Sequence, residues 1–401
     1  MIKRINTKQL KPGMFIDDMN CGWLRHPFLT NKITISDDEM IKRIVKHGIR
    51  EVYIDTAKGL TVKDAPTKDE VNQEVQVEMD RVAESKPDPV PQVPIKDELK
   101  KAREIKKEAK KTVHSIMDDV RFGKQIETVK VENVVSQMIE SIFRNQDALL
   151  SMGRLKKADE YTYMHSMSVG VLMIAFGKHL GIDKETLTMV GVGAMMHDIG
   201  KMHVPQELLV SETKLDDYEY EIMKKHVVHS REILEKTEGI SPKSIQIAAQ
   251  HHERIDGSGY PGGLKGDEIS TLGKAAAIAD VYDAMTSKRN YQRRYDPTEV
   301  LRKLFEWSEH YYDKKMVQQF IRCVGIYPVG TLVRLESGML AVVLKHGEEN
   351  LLHPTVKIIY NSIKNRYVKP SIIDLSENGK DTIVSHEPSD QWDIEPELHL
   401  F

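Results

Sequence analysis

Residues 251–263 read HHERIDGSGYPGG, two adjacent imidazoles and a pair of acids running straight into a loop of Gly, Ser, Tyr and Pro. Neutral imidazole is a common ligand of divalent metals. Upstream, His197-Asp198 is followed by Ile199-Gly200-Lys201, and downstream Asp280 and Asp283 sit within AAAIADVYDAM, a setting so apolar that an unpaired carboxylate would be costly. Eight of the sixteen histidines lie between His165 and His252. Any one of them is as readily a packed or surface side chain, so the weight rests on the set. The order His165, His197-Asp198, His226, His251-His252, Asp280 supplies more ligands than one ion needs, with an acid able to bridge two ions, Asp198, in the middle. Two neighbouring divalent ions can clamp a phosphodiester and activate water at neutral pH. Nitrogen and oxygen ligands without thiolate favour iron, manganese or nickel over structural zinc.

Helical signals surround each of these residues. His165 opens a run with Met167, Val171, Ile174 and Leu180 apolar, ending at Gly181. The next helix starts near Asp183, carries Leu187, Val190 and Ala194, and delivers His197-Asp198. Asp216 and Glu219 have capping-box spacing, and the helix they open places Ile222, His226, His229 and Ile233 on one stripe. Ser241 and Pro242 are an N-cap and first-turn pair, after which Ile245, Ala248 and His252 share a face. A last helix from Ser270 carries Asp280 and Asp283 one turn apart.

The rest of the chain reads as flanking structure. Over residues 1–64 a turn at Lys11-Pro12-Gly13, short runs Met14-Phe15-Ile16 and Val52-Tyr53-Ile54, and one helix capped by Ser36 with Glu39 predict a small α+β domain. Residues 65–94, charged and closing on Pro87, Pro89, Pro91 and Pro94, read as a mobile or extended linker. Leu99, Ala102, Ile105, Ala109, Val113, Ile116 and Val120 mark one face of a long charged helix, the first of the connecting helices over 95–149. A helical domain over 150–327 holds the chemistry. Alternation near 331–334 and 356–360 predicts a short β subdomain over 328–375, and 376–401 reads as a surface tail. The fold class is therefore mainly α, with the small α+β domain before the helical domain and the β subdomain after it.

Fifty-eight basic against sixty-one acidic residues leave a formal charge of -3, which excludes a global attraction to polymeric nucleic acid or an anionic membrane. Cys21 and Cys323 form no CxxC pair, arguing against a disulfide framework and thiolate zinc. The N-terminal segment lacks a signal-peptide core and no stretch approaches membrane-spanning length, so a cytoplasmic location is expected.

Three motifs, HDIGK at 197–201, HHERIDGSGYP at 251–261 and DVYDAMTSKRNY at 280–291, resemble in order and spacing the HD-GYP phosphodiesterases of bacteria, over about residues 150–325. The opening segment resembles a small accessory domain often fused in front of them. The resemblance implies a helical domain that linearises a cyclic dinucleotide signal by attack of a metal-bridging hydroxide. It implies the metal ligands His165, His197, Asp198, His226, His251, His252 and Asp280, with His165, His197 and Asp280 on one ion, His226, His251 and His252 on the other, and Asp198 between. Lys201 is then catalytic with Asp198, stabilising charge on the phosphate.

Gly259 lets backbone approach the substrate, and Tyr260 stacks on a base or contacts a partner. Arg289 reaches a phosphate or a guanine edge, whereas Asp256 bonds the loop's own amides. Two departures from the family pattern matter. Where three-metal members have a glutamate four residues before the first histidine, this chain has Tyr161, so two ions are expected. Where many cyclic di-GMP enzymes have a basic residue, this chain has Gln292, with Arg293 and Arg294 displaced, leaving cyclic di-GMP and 3'3'-cyclic GMP-AMP both open as substrates. The expected partners are the cyclic dinucleotide, a diguanylate or related cyclase domain docking through the loop at Tyr260, and a second copy of the chain. The alternative is a catalytically weak receptor or adaptor that binds the nucleotide and signals through protein contacts.

Overall fold

The computed structural model describes residues 1–401 except 23–27, 29, 85–91, 155–160, 212, 214, 288–294, 348–349, 378–380 and 401. The N-terminal unit is an antiparallel sheet of β1 (Ile2–Asn6), β2 (Phe15–Asp18), β3 (Ile33–Thr34) and β4 (Glu51–Asp55) in the order β1-β4-β2-β3, with helix α1 (Asp38–Lys46) laid on it. Ile5, Ile16, Ile44, Val52 and Ile54 form its core. The cap of α1 is Asp37, which accepts from the Met40 amide at 2.9 Å, rather than Ser36, whose hydroxyl donates to Asp37 instead. The carboxylate, one residue nearer the helix, wins the free amide.

The expected linker over 65–94 contains a helix, α2 (Lys68–Ala83), opened by a capping box of Thr67 and Glu70. Val75, Met79 and Val82 pack against the helical domain, on a stripe with the buried Val71 whose three-and-four spacing is hidden in a charged sequence. Pro94 then caps α3 (Ile95–Arg121), which packs along α4 (Thr128–Arg154). Arg144 of α4 donates two 2.8 Å bonds to the buried Glu98 of α3, and α4 is interrupted at Asn145, whose backbone is extended.

The helical core follows as α5 (Tyr161–His179), α6 (Lys184–Met196), the short α7 (Gln206–Leu209), α8 (Asp217–Glu235), α9 (Pro242–Gln250), α10 (Thr271–Thr286), α11 (Pro297–Trp307) and α12 (Lys314–Val324). Their caps fall at Asp183, Asp216, Ser241 and Ser270, as the sequence signals predict. Two glycines allow close backbone contacts between these elements. A Cβ at Gly193 would stand 2.6 Å from Ser244 Cα, and one at Gly200 would stand 2.1 Å from the His226 carbonyl oxygen. Only glycine lets the end of α6 and the turn after it press so closely on α9 and α8.

Beyond α12 lies a second antiparallel sheet, β5 (Leu332–Leu335), β6 (Met339–Lys345), β7 (Thr355–Asn361), β8 (Arg366–Asp374) and β9 (Ile383–His386), in the order β8-β7-β6-β5-β9. The expected surface tail therefore supplies an edge strand, and Ile394 and Leu400 beyond it are buried in this unit's core. Apolar residues spaced too widely to show periodicity concealed that packing. No described helix is long and apolar enough to cross a membrane.

Candidate metal centre and substrate cavity

α5, α6, α8, α9 and α10 direct one acidic or imidazole group each, or two, into a common interior point. Three of the imidazoles are oriented by their own helices. Nδ1 of His197, His226 and His251 meets the carbonyl oxygen three residues back, on Ala194, Met223 and Ala248, at 2.7, 2.7 and 2.8 Å. A carbonyl only accepts, so Nδ1 carries a proton and Nε2 is the ring nitrogen turned to the centre. His165 is oriented by a carboxylate instead, its Nδ1 lying 2.7 Å from Asp283 Oδ2.

The ligand atoms converge as two trios, His165 with His197 and Asp280, and His226 with His251 and His252, each trio within 4.8 Å. Asp198, 1 % exposed, lies between them. Its Oδ2 stands 3.5 and 3.4 Å from Nε2 of His165 and His197, while its Oδ1 stands 3.3 and 3.9 Å from Nε2 of His226 and His251. Each carboxylate oxygen thus faces a different trio. Among the described residues, Nε2 of His197, His226 and His251 and Oδ1 of Asp198 are buried without a hydrogen-bond partner. Buried polar atoms are rarely left so, and convergent unpaired donor atoms of this kind fit divalent ions.

Electrostatics divide the trios. Burial opposes protonation of His197, yet the charges of Asp198 and Asp280 raise its pKa to about 10. Burial likewise opposes ionisation of Asp198 and Asp280, but Lys201 and His197 hold the first, and His165 and His197 the second, well below the usual carboxylate range. On the other side burial, reinforced by the charge of His197, lowers His251 to about 3, and burial beside His251 depresses His252. One half holds the two ionised carboxylates, and in the other burial keeps His251 and His252 from taking up a proton.

A cavity of about 380 Å³ opens onto this centre, lined among others by His165, Lys201, His226, His252, Tyr260 and Asp280. Lys201, on the turn after α6, bonds Asp198 Oδ2. The Tyr260 ring packs on His252 at 4.7 Å between centroids, so it faces the cavity; Pro261 and Gly262 form the exposed edge of the loop. Gly259 also lines the cavity, but the close approach it permits is to the chain itself, since a Cβ there would stand 2.4 Å from the Arg254 nitrogen. Asp256 accepts from the Ser258 amide at 2.9 Å, as expected, and also from Arg50 Nε of the N-terminal unit at 3.1 Å.

Arg289, Gln292 and Arg293 lie outside the described residues, as does the side chain of Tyr161. His229, on the same stripe as His226, stays out of the cluster and packs its ring 5.5 Å from that of His203. Two residues escaped assignment from sequence. Asp283 was visible as a buried acid without a partner. Glu253, the third residue of HHERIDGSGYP, is 2 % exposed and accepts from the amides of Gly262 at 2.7 Å and Leu264 at 3.0 Å, tying the glycine-rich loop to the end of α9.

Residues 137–316 match the family described as HD domain, and residues 2–131 match a domain of unknown function, DUF3391. The chain is 37 % identical over 396 residues, 98 % of its length and 94 % of the relative's, to the cyclic di-GMP phosphodiesterase PA4108 of Pseudomonas aeruginosa. The chain belongs to the HD-GYP family. Its HD-GYP segment is also 36 % identical over 154 residues to 3'3'-cGAMP-specific phosphodiesterase 1 of Vibrio cholerae, covering 38 % of this chain and 36 % of that one. Among solved structures, an HDG"Y"P protein from Bdellovibrio bacteriovorus aligns over 80 % of this chain and 98 % of its own, at 17 % identity and a TM-score of 0.47.

Proposed function

We propose that this HD-GYP chain is a two-metal phosphodiesterase that opens one phosphodiester of a cyclic dinucleotide, cyclic di-GMP or 3'3'-cyclic GMP-AMP, to give the linear dinucleotide. The observation that carries it is Asp198, whose two oxygens face two separate trios of ligand atoms at 3.3 to 3.9 Å. His165, His197 and Asp280 would hold one ion, His226, His251 and His252 the other, and Asp198 would give an oxygen to each. Iron or manganese suits this donor set best, with nickel next. Divalent ions in such a pair lower the pKa of water to near neutrality and offset the charge that develops on a phosphodiester under in-line attack.

The chain's own residues do the remaining work. The helix carbonyls on Ala194, Met223 and Ala248 keep three imidazoles in one tautomer, so no reorientation accompanies reaction. Asp283 does the same for His165. Lys201, on the cavity wall beside Asp198, places a cation where a non-bridging phosphate oxygen approaches. Tyr260 and the loop pinned by Glu253 close one side and present an aromatic face to a base. Because Tyr260 is turned towards the cavity, a cyclase domain docking on this loop would rest on Pro261 and Gly262.

The test incubates iron- or manganese-loaded full chain with each cyclic dinucleotide and follows the linear product by chromatography. Product from at least one nucleotide, abolished by chelation and by Asp198→Ala, is expected. Binding of either nucleotide without any product would establish the receptor reading in its place.

A further inference from the structure

The cavity over the metal centre is not built by the HD-GYP segment alone. Cys21, Gly22, Lys46 and His47 of the N-terminal unit line it as well. That wall is fastened on two sides. Arg43 Nη2 and His47 Nε2 reach Asp217, at the start of α8, at 3.4 and 3.7 Å. Arg50 bonds Asp256 of the glycine-rich loop, and the Tyr311 hydroxyl accepts from the Arg50 amide at 2.9 Å while donating to the Gly48 carbonyl at 3.1 Å. The end of α1 is thereby clamped between the helix that carries His226 and the loop that carries Tyr260.

Charge then singles out one residue. A cyclic dinucleotide carries two phosphodiester anions, and the metal centre with Lys201 accounts for the one that reacts. Among the described Lys and Arg side chains lining the cavity, Lys201 is committed to Asp198, Lys224 to Glu221 at 2.6 Å, and Arg254 to the Glu253 carbonyl and the Tyr312 ring. Lys46 has neither an ion pair nor a hydrogen bond among the described residues. It closes α1 as the last helical residue and, exposed, lines the cavity from the N-terminal domain. Resting on the phosphodiesterase reading above, we propose that Lys46 is a substrate-binding residue that holds the second, non-reacting phosphodiester of the cyclic dinucleotide. The domain of unknown function thereby completes the substrate site of its neighbour. An ammonium on a flexible stem suits a phosphate oxygen as a point charge, and an interaction of this kind is charge-assisted.

The experiment compares wild type, Lys46→Ala and Lys46→Arg, all as metal-loaded full chain, on a cyclic dinucleotide and on bis(p-nitrophenyl) phosphate, which has a single phosphodiester. Wild-type hydrolysis of the cyclic dinucleotide is read first, so a failure of the phosphodiesterase reading shows before any variant is used. The expected result is a KM for the cyclic dinucleotide raised about tenfold in Lys46→Ala, with kcat little altered. The loss should exceed that on the one-phosphate ester by the same factor, and Lys46→Arg should recover most of it. Increasing salt should raise the wild-type KM more steeply than that of Lys46→Ala. Equal losses on both esters would mark Lys46 as structural and overturn the proposal, as would an unaltered KM for the cyclic dinucleotide.

Discussion

In the interior cluster, His197, His226 and His251 take their orientation from the carbonyl three residues back in the same stretch of chain, so each ligand is aimed by local geometry. At the cavity rim, Lys46 and His47 share a wall with Asp217 only because a separate domain docks there, and Asp217 is reached through exposed or half-exposed contacts from Arg43 and His47. The cluster is buried and oriented by local hydrogen bonds, whereas the charged pairs at the rim are ones that salt and single substitutions weaken. Chemistry and substrate recognition are therefore separable in this molecule, and substitutions in the two regions should fail differently.

The largest effect is expected from Asp198→Ala, which removes both inward-facing oxygens at once. Its kcat on a cyclic dinucleotide should fall on the order of a thousandfold or more while circular dichroism stays that of the wild type. A variant that kept measurable turnover near the wild-type rate would break the division at its strongest point. Asp283→Ala, which frees Nδ1 of His165, should cost about 10- to 100-fold in metal affinity or turnover, as loss of a ligand's orienting partner typically does; metal-binding titrations read this directly.

Glu253→Gln stands at the boundary between the regions. The variant keeps one carbonyl acceptor for the amides of Gly262 and Leu264 and turns an NH2 group towards the other. One buried amide is left poorly paired, at a cost of about 1–3 kcal/mol. The loop should loosen, with KM rising more than kcat falls, and hydrogen exchange at residues 257–264 should quicken. Smaller again is the pH response of the metal-free chain. His251, lowered to about 3, and His252, also lowered, stay neutral in the fold, while the unfolded chain takes up protons below about pH 6.5. Stability should therefore fall as pH drops from 6.5 towards 4.5. His197, raised to about 10, stays protonated in the fold throughout this range; its stabilising contribution is fully present below about pH 6.5 and is lost as pH rises from there towards 10. Thermal melts across that range, repeated with His251→Asn, should show a shallower acid limb in the variant. The smallest effect belongs to the rim: Asp217→Asn breaks an exposed ion pair worth at most about 1 kcal/mol, so KM should change by no more than about fivefold.

The same contrast explains what could be read from the sequence. The buried His and Asp cluster was legible because the helix caps at Asp183, Asp216, Ser241 and Ser270 fix the register of the histidines, and because a polar residue on an apolar stripe announces a candidate site. Asp283 was visible but unassigned, since its partner His165 lies on another helix. The helix over Lys68–Ala83 and the strand over Ile383–His386 were hidden by charged and Pro-rich composition, and their apolar residues gain meaning only against the surfaces they cover. Nothing local in Lys46-His47 signals a place beside residues some two hundred positions away; only domain docking puts them there.

The most direct test of the two-ion account is a titration of the metal-free full chain with manganese, reading bound metal per chain and linear dinucleotide formation in the same samples. The structure leads us to expect two ions per chain at saturation, with turnover appearing as the second binds and Asp198→Ala losing the coupling between them. Saturation at one or three ions, or full turnover in the presence of excess chelator, would contradict it.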